Sequence, residues 1–132
     1  YKQGAADANN RITAEAWGNN FLSIVDGWRN DAFGVIPDNL PFLLGNTRGT
    51  ADADVFPDDI TDFDPDSVPP PDSRPFIMHV IHQQWMVQFE RPAIYPVIER
   101  NIPLGADGTH NSPEGIRMIG RRFAEVYLKE AN

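Results

Sequence analysis

The sequence predicts an α/β layered fold with a mainly parallel sheet. Apolar residues recur at helical spacing in three separated segments, short apolar runs of strand length lie between them, and the order is helix, strand, helix, strand, helix. The first helix is expected from about Asp7 to Ala32. There Ile12, Ala16, Trp17, Phe21, Ile24, Val25 and Trp28 recur every three or four residues and form one buried face. Gly34 is its expected stop. Leu40-Pro41-Phe42-Leu43-Leu44, closed by Gly45-Asn46, reads as a buried strand. A second helix is expected from Pro75 to about Phe89, with Ile77, Val80, Ile81, Trp85 and, at its end, Phe89 packing inward before Pro92 stops it. Ala93 to Ile98 reads as a second strand, with Pro96 favouring an edge or irregular position because it donates no hydrogen bond. The last helix has the clearest start, Ser112 as N-cap and Pro113 at the first helical position. Its apolar face is Ile116, Ile119, Phe123, Val126 and Tyr127, with Arg117, Arg121, Arg122 and Lys129 toward solvent.

At 132 residues and 41% hydrophobic content the chain fits one globular domain. A formal charge of −8 argues against nucleic acid and anionic membrane surfaces as partners. With no cysteine, disulfides, thiolate metal sites and a cysteine nucleophile are excluded. No apolar run approaches membrane-spanning length. Two strands are few for a sheet covered by three helices. A further segment ahead of Tyr1, or a partner subunit, is therefore expected to complete the fold.

The negative charge is concentrated. Between Ala51 and Asp72 stand eight aspartates (Asp52, Asp54, Asp58, Asp59, Asp62, Asp64, Asp66 and Asp72) and no Lys or Arg, together with Pro57, Pro65 and Pro69-Pro70-Pro71. Repelling carboxylates and missing N–H donors suit neither helix nor central strand, so residues 47–74 read as a long solvated loop. Alternate aspartates such as Asp62, Asp64 and Asp66 raise calcium as a candidate ligand of the Asp52–Asp72 loop. The stretch lacks the glycine and glutamate of a twelve-residue calcium loop, and no other cofactor is expected.

The most informative motif is Asp107-Gly108-Thr109-His110, directly before the helix start at Ser112. A histidine acting as general base near neutral pH needs a fixed tautomer, which a carboxylate on its Nδ1–H supplies. Gly108 lets the loop turn sharply enough for Asp107 to reach the ring. A helix-capping loop with a surface histidine accounts for the same spacing.

Asp107 through Gly115 (Asp-Gly-Thr-His-Asn-Ser-Pro-Glu-Gly) resembles the last block of the SGNH, or GDSL-like, hydrolases, whose D-x-x-H carries a catalytic acid and base. Tyr1-Lys2-Gln3-Gly4-Ala5-Ala6-Asp7 resembles the W-x-Q-G-E-[SA]-D block of the branch containing sialate O-acetylesterases and carbohydrate esterase family 6. The intervening order matches too: a long helix ending near Arg29, the Leu40-Pro41-Phe42 strand, and a helix before the D-x-x-H loop. The resemblance implies a three-layer, flavodoxin-like α/β/α sandwich, of which residues 1–132 would be the C-terminal part. It also implies a serine carboxylic-ester hydrolase acting on an acetylated carbohydrate or small ester. Carried over by position, His110 is the general base, Asp107 its orienting carboxylate, and Gln3 and Gly4 belong to the oxyanion block. The chain departs from the pattern at Tyr1 and Ala5, and the nucleophile block is absent: Ser23, Ser67, Ser73 and Ser112 all lack a nucleophile-elbow setting.

Other chemical-looking residues have simpler explanations. His79 and His82 have metal-ligand potential but no clear third ligand. Trp17, Trp28 and Trp85 sit at helical spacing among aliphatic residues, as core side chains do. Arg29 and Arg48 are candidate anion binders, Arg48 the better placed near a strand end. Three functions stand at this point: an O-acetylesterase whose serine lies outside the chain, a non-catalytic carbohydrate-binding or structural relative, and an acidic, calcium-dependent interaction module.

Overall fold

A computed structural model describes residues 5–30, 37, 39–45, 63–69, 74–108 and 110–130. Within them the chain forms three α-helices and a two-stranded parallel sheet, a mixed α/β arrangement. A 3-10 turn over Asp7–Asn9 leads into α1 (Arg11–Asn30). Asn10 caps α1, its Oδ1 accepting the Ile12 N–H at 2.8 Å.

The buried face of α1 consists of Ala14, Trp17, Gly18, Phe21, Leu22, Val25 and Arg29. Trp17, Phe21 and Val25 lie inside as the sequence predicts, but the face is rotated from the expected one. Ile12 is 77% exposed, and Ile24 and Trp28 are also exposed. Close approach of the next helix, α2 (Ile77–Glu90), explains the rotation. A Cβ at Gly18 would strike the Gln83 carboxamide and meet Val87 Cγ1 at 3.5 Å. Small residues, rather than the largest apolar ones, decide which side of α1 faces its neighbour. Trp28 still lays its ring on Phe42, with centroids 5.4 Å apart.

The sheet pairs β1 (Phe42–Gly45) in parallel with β2 (Ile94–Val97), Phe42 opposite Ile94 and Gly45 opposite Val97. Parallel strands need a crossover, and α2 supplies it. Pro96 lies opposite Leu44 in β2, and in a two-stranded sheet every strand is an edge, where proline is tolerated. The α2–β2 turn is pinned to the end of α1. Arg91 makes a bidentate pair with Asp26 at 3.0 and 2.9 Å, and Arg29 Nη2 donates to the Pro92 carbonyl at 3.0 Å. Arg29 is therefore committed to the scaffold.

The core unites Trp17, Phe21 and Val25 with Leu44, Ile77, Val80, Ile81, Val87 and Ile94. Phe89, expected inside, is exposed. It lies two residues beyond Val87, roughly 200° around the helix and so on its opposite side. Helix α3 (Pro113–Glu130) packs differently. Only Gly115 is fully buried, while Ile119, Phe123 and Val126 are half-buried. Phe123 reaches the end of β1, its Cζ 3.1 Å from where a Cβ on Gly45 would stand. Ile116 is 61% and Tyr127 49% exposed, so one flank of the predicted apolar face stays open. No helix among the described residues is long and apolar enough to cross a membrane.

Candidate active site

The chain leaves the C-terminal end of β2 through the buried residues Glu99 and Ile102. Asn101 takes a left-handed conformation at φ 53°, which asparagine tolerates well. The chain then folds back on itself. Ser112 N–H donates to the Pro103 carbonyl at 3.0 Å, Leu104 bridges Asn111 in antiparallel fashion, and Gly105 N–H donates to the His110 carbonyl at 2.7 Å. At the tip, Gly108 donates to the Gly105 carbonyl at 3.1 Å with a φ of 66°, the positive value for which glycine was expected.

This tip brings Asp107 and His110 together. Asp107 Oδ1 accepts the His110 backbone N–H at 3.0 Å, and its Oδ2 lies 2.6 Å from His110 Nδ1. One carboxylate thus holds both the backbone and the ring of the histidine. An ionised carboxylate only accepts, so the shared proton is assigned to Nδ1, leaving the Nε2 lone pair free to take a proton. The His110 side chain is 85% exposed, which leaves that nitrogen accessible. An exposed ion pair contributes little stability, so the pairing counts mainly as orientation.

The helix start fixes the other side of the loop. Ser112 Oγ accepts the Gly115 N–H at 3.0 Å, the N-cap bond expected from the sequence. Gly115 itself packs against the Pro103 carbonyl, so α3 and the loop base are in direct contact. Ser112 is thereby occupied as a cap, and Ser23 Oγ donates to the Asn19 carbonyl within α1 at 2.9 Å. Ser67 lies in the turn where its N–H reaches the Asp64 carbonyl at 3.1 Å. Ser73, Thr109, Arg48, and the oxyanion-block residues Gln3 and Gly4, lie outside the described residues.

Of the acidic stretch, residues 63–69 are described. Asp64 Oδ1 accepts the Asp66 N–H at 2.9 Å, and Asp66 contacts Arg11 and His79. The other six of the eight aspartates lie outside the described residues. Among the described residues no group of three or more His, Asp or Glu side chains is arranged to hold a metal ion. His82 instead stacks on Phe63, with centroids 5.9 Å apart. Its burial, and then the charge of His79, hold its pKa below the ordinary histidine value. Trp17 is buried and stacked on Phe21 at 5.2 Å, as a core residue. The buried Glu99 escaped the sequence reading: its Oε1 lies 2.6 Å from where a Gly45 Cβ would be. A lone glutamate after a short strand gives no signal of such burial. Compared with protein-family models and with curated protein sequences, the chain matches none.

Proposed function

We propose that the chain carries the acid–base half of a serine ester hydrolase, acting on an acetylated carbohydrate or another small ester. The observation behind this reading is the 2.6 Å contact between Asp107 Oδ2 and His110 Nδ1 on a loop following a parallel strand. In the proposed mechanism His110 Nε2 takes the proton from a serine hydroxyl as it attacks the ester carbonyl. The imidazolium so formed is stabilised by Asp107, and His110 then returns the proton to the leaving alkoxide. Gln3 and Gly4 contribute donors to the developing oxyanion. The serine comes from a segment or partner subunit beyond these 132 residues, completing a three-layer SGNH-type sandwich. The Ser23 hydroxyl is engaged within α1 and Ser112 Oγ serves as the α3 cap, which supports a nucleophile other than these two.

The test is acetate release from acetylated sugars and p-nitrophenyl acetate by the native protein, including whatever segment or subunit supplies the serine. His110→Ala should abolish nearly all turnover, and Asp107→Asn should lower it by about 10³- to 10⁴-fold with the fold retained. Undiminished activity in His110→Ala would sink the reading. An inactive, correctly folded native protein would mark a non-catalytic relative of the fold.

A further inference from the structure

The described end of the acidic stretch is fastened to the helix pair through an ionic ring that the esterase reading does not use. On α1, Arg11 bonds Glu15 at 2.6 Å and reaches across to Asp66 at 3.1 Å. On α2, His79 lies between the same two carboxylates, with Nε2 3.3 Å from Asp66 Oδ1 and Nδ1 4.0 Å from Glu15 Oε1. Four side chains from three elements thus close a ring: Arg11, Glu15, His79 and Asp66. Beside it, Phe63 stacks on His82 one turn further along α2, and the Asp64 side chain bonds the Asp66 N–H.

A neutral imidazole donates one hydrogen bond, whereas an imidazolium donates two. Both His79 nitrogens face carboxylates within ion-pair distance, so a second proton on the ring places positive charge between two negative groups. Charge balance points the same way. With His79 neutral the ring holds one cation and two anions; protonation brings it to neutrality. The His79 side chain is 10% exposed, whereas those of its partners Glu15 and Asp66 are 48% and 63% exposed. We propose that His79 is a pH-sensitive clasp, which on protonation ties the 63–69 turn to α1 and α2.

The neighbouring groups are consistent with this sign. From α1 come Arg11 and Glu15, from the turn Asp64 and Asp66, from α2 His82, and the 3-10 turn brings Asp7 as its one titratable group. His82 is the only added base, and its burial and the nearby His79 charge keep it neutral to lower pH. The clasp governs how firmly the C-terminal end of the aspartate-rich stretch is held against the helix pair as the medium turns mildly acidic.

The test is amide hydrogen exchange at Asp66 and Ser67 on the full 132-residue chain, expressed as protection factors to remove the intrinsic pH dependence. Between pH 8 and about pH 5.5, where histidine ordinarily changes charge, protection should rise about two- to five-fold, the scale of one partly exposed ion pair. His79→Gln, which cannot acquire charge, should flatten the response. If that buried substitution unfolds the chain, Asp66→Asn at the exposed end of the ring decides instead and should flatten it too. Wild-type protection that stays level or falls on acidification overturns the clasp, as does a rise that persists in Asp66→Asn.

Discussion

Gly115 on α3 and Pro103 on the segment leaving β2 meet without room for a side chain between them. A Cβ on Gly115 would overlap the Pro103 carbonyl oxygen and stand 2.9 Å from Ile102 Cγ2. The first turn of α3 is thus seated on the base of the loop that carries Asp107 and His110. Backbone is the obstacle, so neither partner can yield by changing rotamer.

Gly115→Ala should therefore destabilise the chain by about 1–3 kcal/mol, overpacking outweighing the better helix propensity of alanine. Gly120, in the same helix, has nothing within 4 Å of an added Cβ. There the propensity gain acts alone, and Gly120→Ala should stabilise by about 0.5–1 kcal/mol. Urea denaturation of the two variants checks both signs. A stabilising Gly115→Ala would contradict the close approach.

The Asp107–His110 pair makes a spectroscopic prediction independent of turnover. At pH 8 the ¹⁵N shifts of His110 should report a proton on Nδ1 and a free Nε2, because the carboxylate faces Nδ1 at 2.6 Å. In Asp107→Ala the tautomer preference should relax toward that of a solvated histidine, and exchange of the His110 amide should accelerate as its bond to Asp107 Oδ1 is lost. A proton found on Nε2 in the wild type would remove the orientation that the general-base role requires.

Local chemistry was readable in the sequence and long-range packing was not. The Asp107–His110 contact spans three residues and one glycine turn, and the Ser112 cap also bonds three residues ahead, so short-range rules sufficed. The parallel sense of the two strands also follows from helix–strand alternation, whereas their register, Leu44 opposite Pro96, does not. The register of α1 depended on α2 fitting against Gly18, which no count of apolar residues in α1 reveals. Likewise Asp66 meets Arg11 across 55 positions of sequence, and its place beside His79 is visible only once α1 and α2 are packed. For Asp66, the sequence shows a carboxylate in an acidic stretch and gives no sign of the arginine that reaches it from α1.

The Asp26–Arg91 pair gives an acid-side prediction. Hydrogen bonding to Arg91, opposed by partial desolvation and aided by the charges of Arg91 and Arg29, holds the Asp26 pKa below its ordinary 3.8. A depressed folded-state pKa means the unfolded chain binds the proton more readily. The stabilisation is then complete above the unfolded value and is lost as pH falls below about 4 toward the folded value. Urea midpoints of wild type and Asp26→Asn should differ at pH 6 and draw together as pH falls below about 4. Because both side chains are over one-third exposed, 1 M salt should shrink the difference at pH 6. A gap that widens on acidification would reverse the sign.

Burial separates the two faces of the molecule, and two isoleucines test the division. Ile81 on α2 is fully buried in the core, whereas Ile116 on α3 is largely exposed. Truncating Ile81 to alanine removes buried methylene contacts and leaves a cavity, so it should cost about 2–5 kcal/mol. Truncating Ile116 leaves no cavity in the chain as it stands and should change stability by no more than about 0.5 kcal/mol. Phe123, half-buried over Gly45, should fall between them. Urea midpoints with a common slope measure all three. An Ile116→Ala penalty as large as that of Ile81→Ala would mean that α3 is covered in solution by apolar contacts within the chain or between copies. Dilution separates these two causes, because only a contact between copies weakens as protein concentration falls.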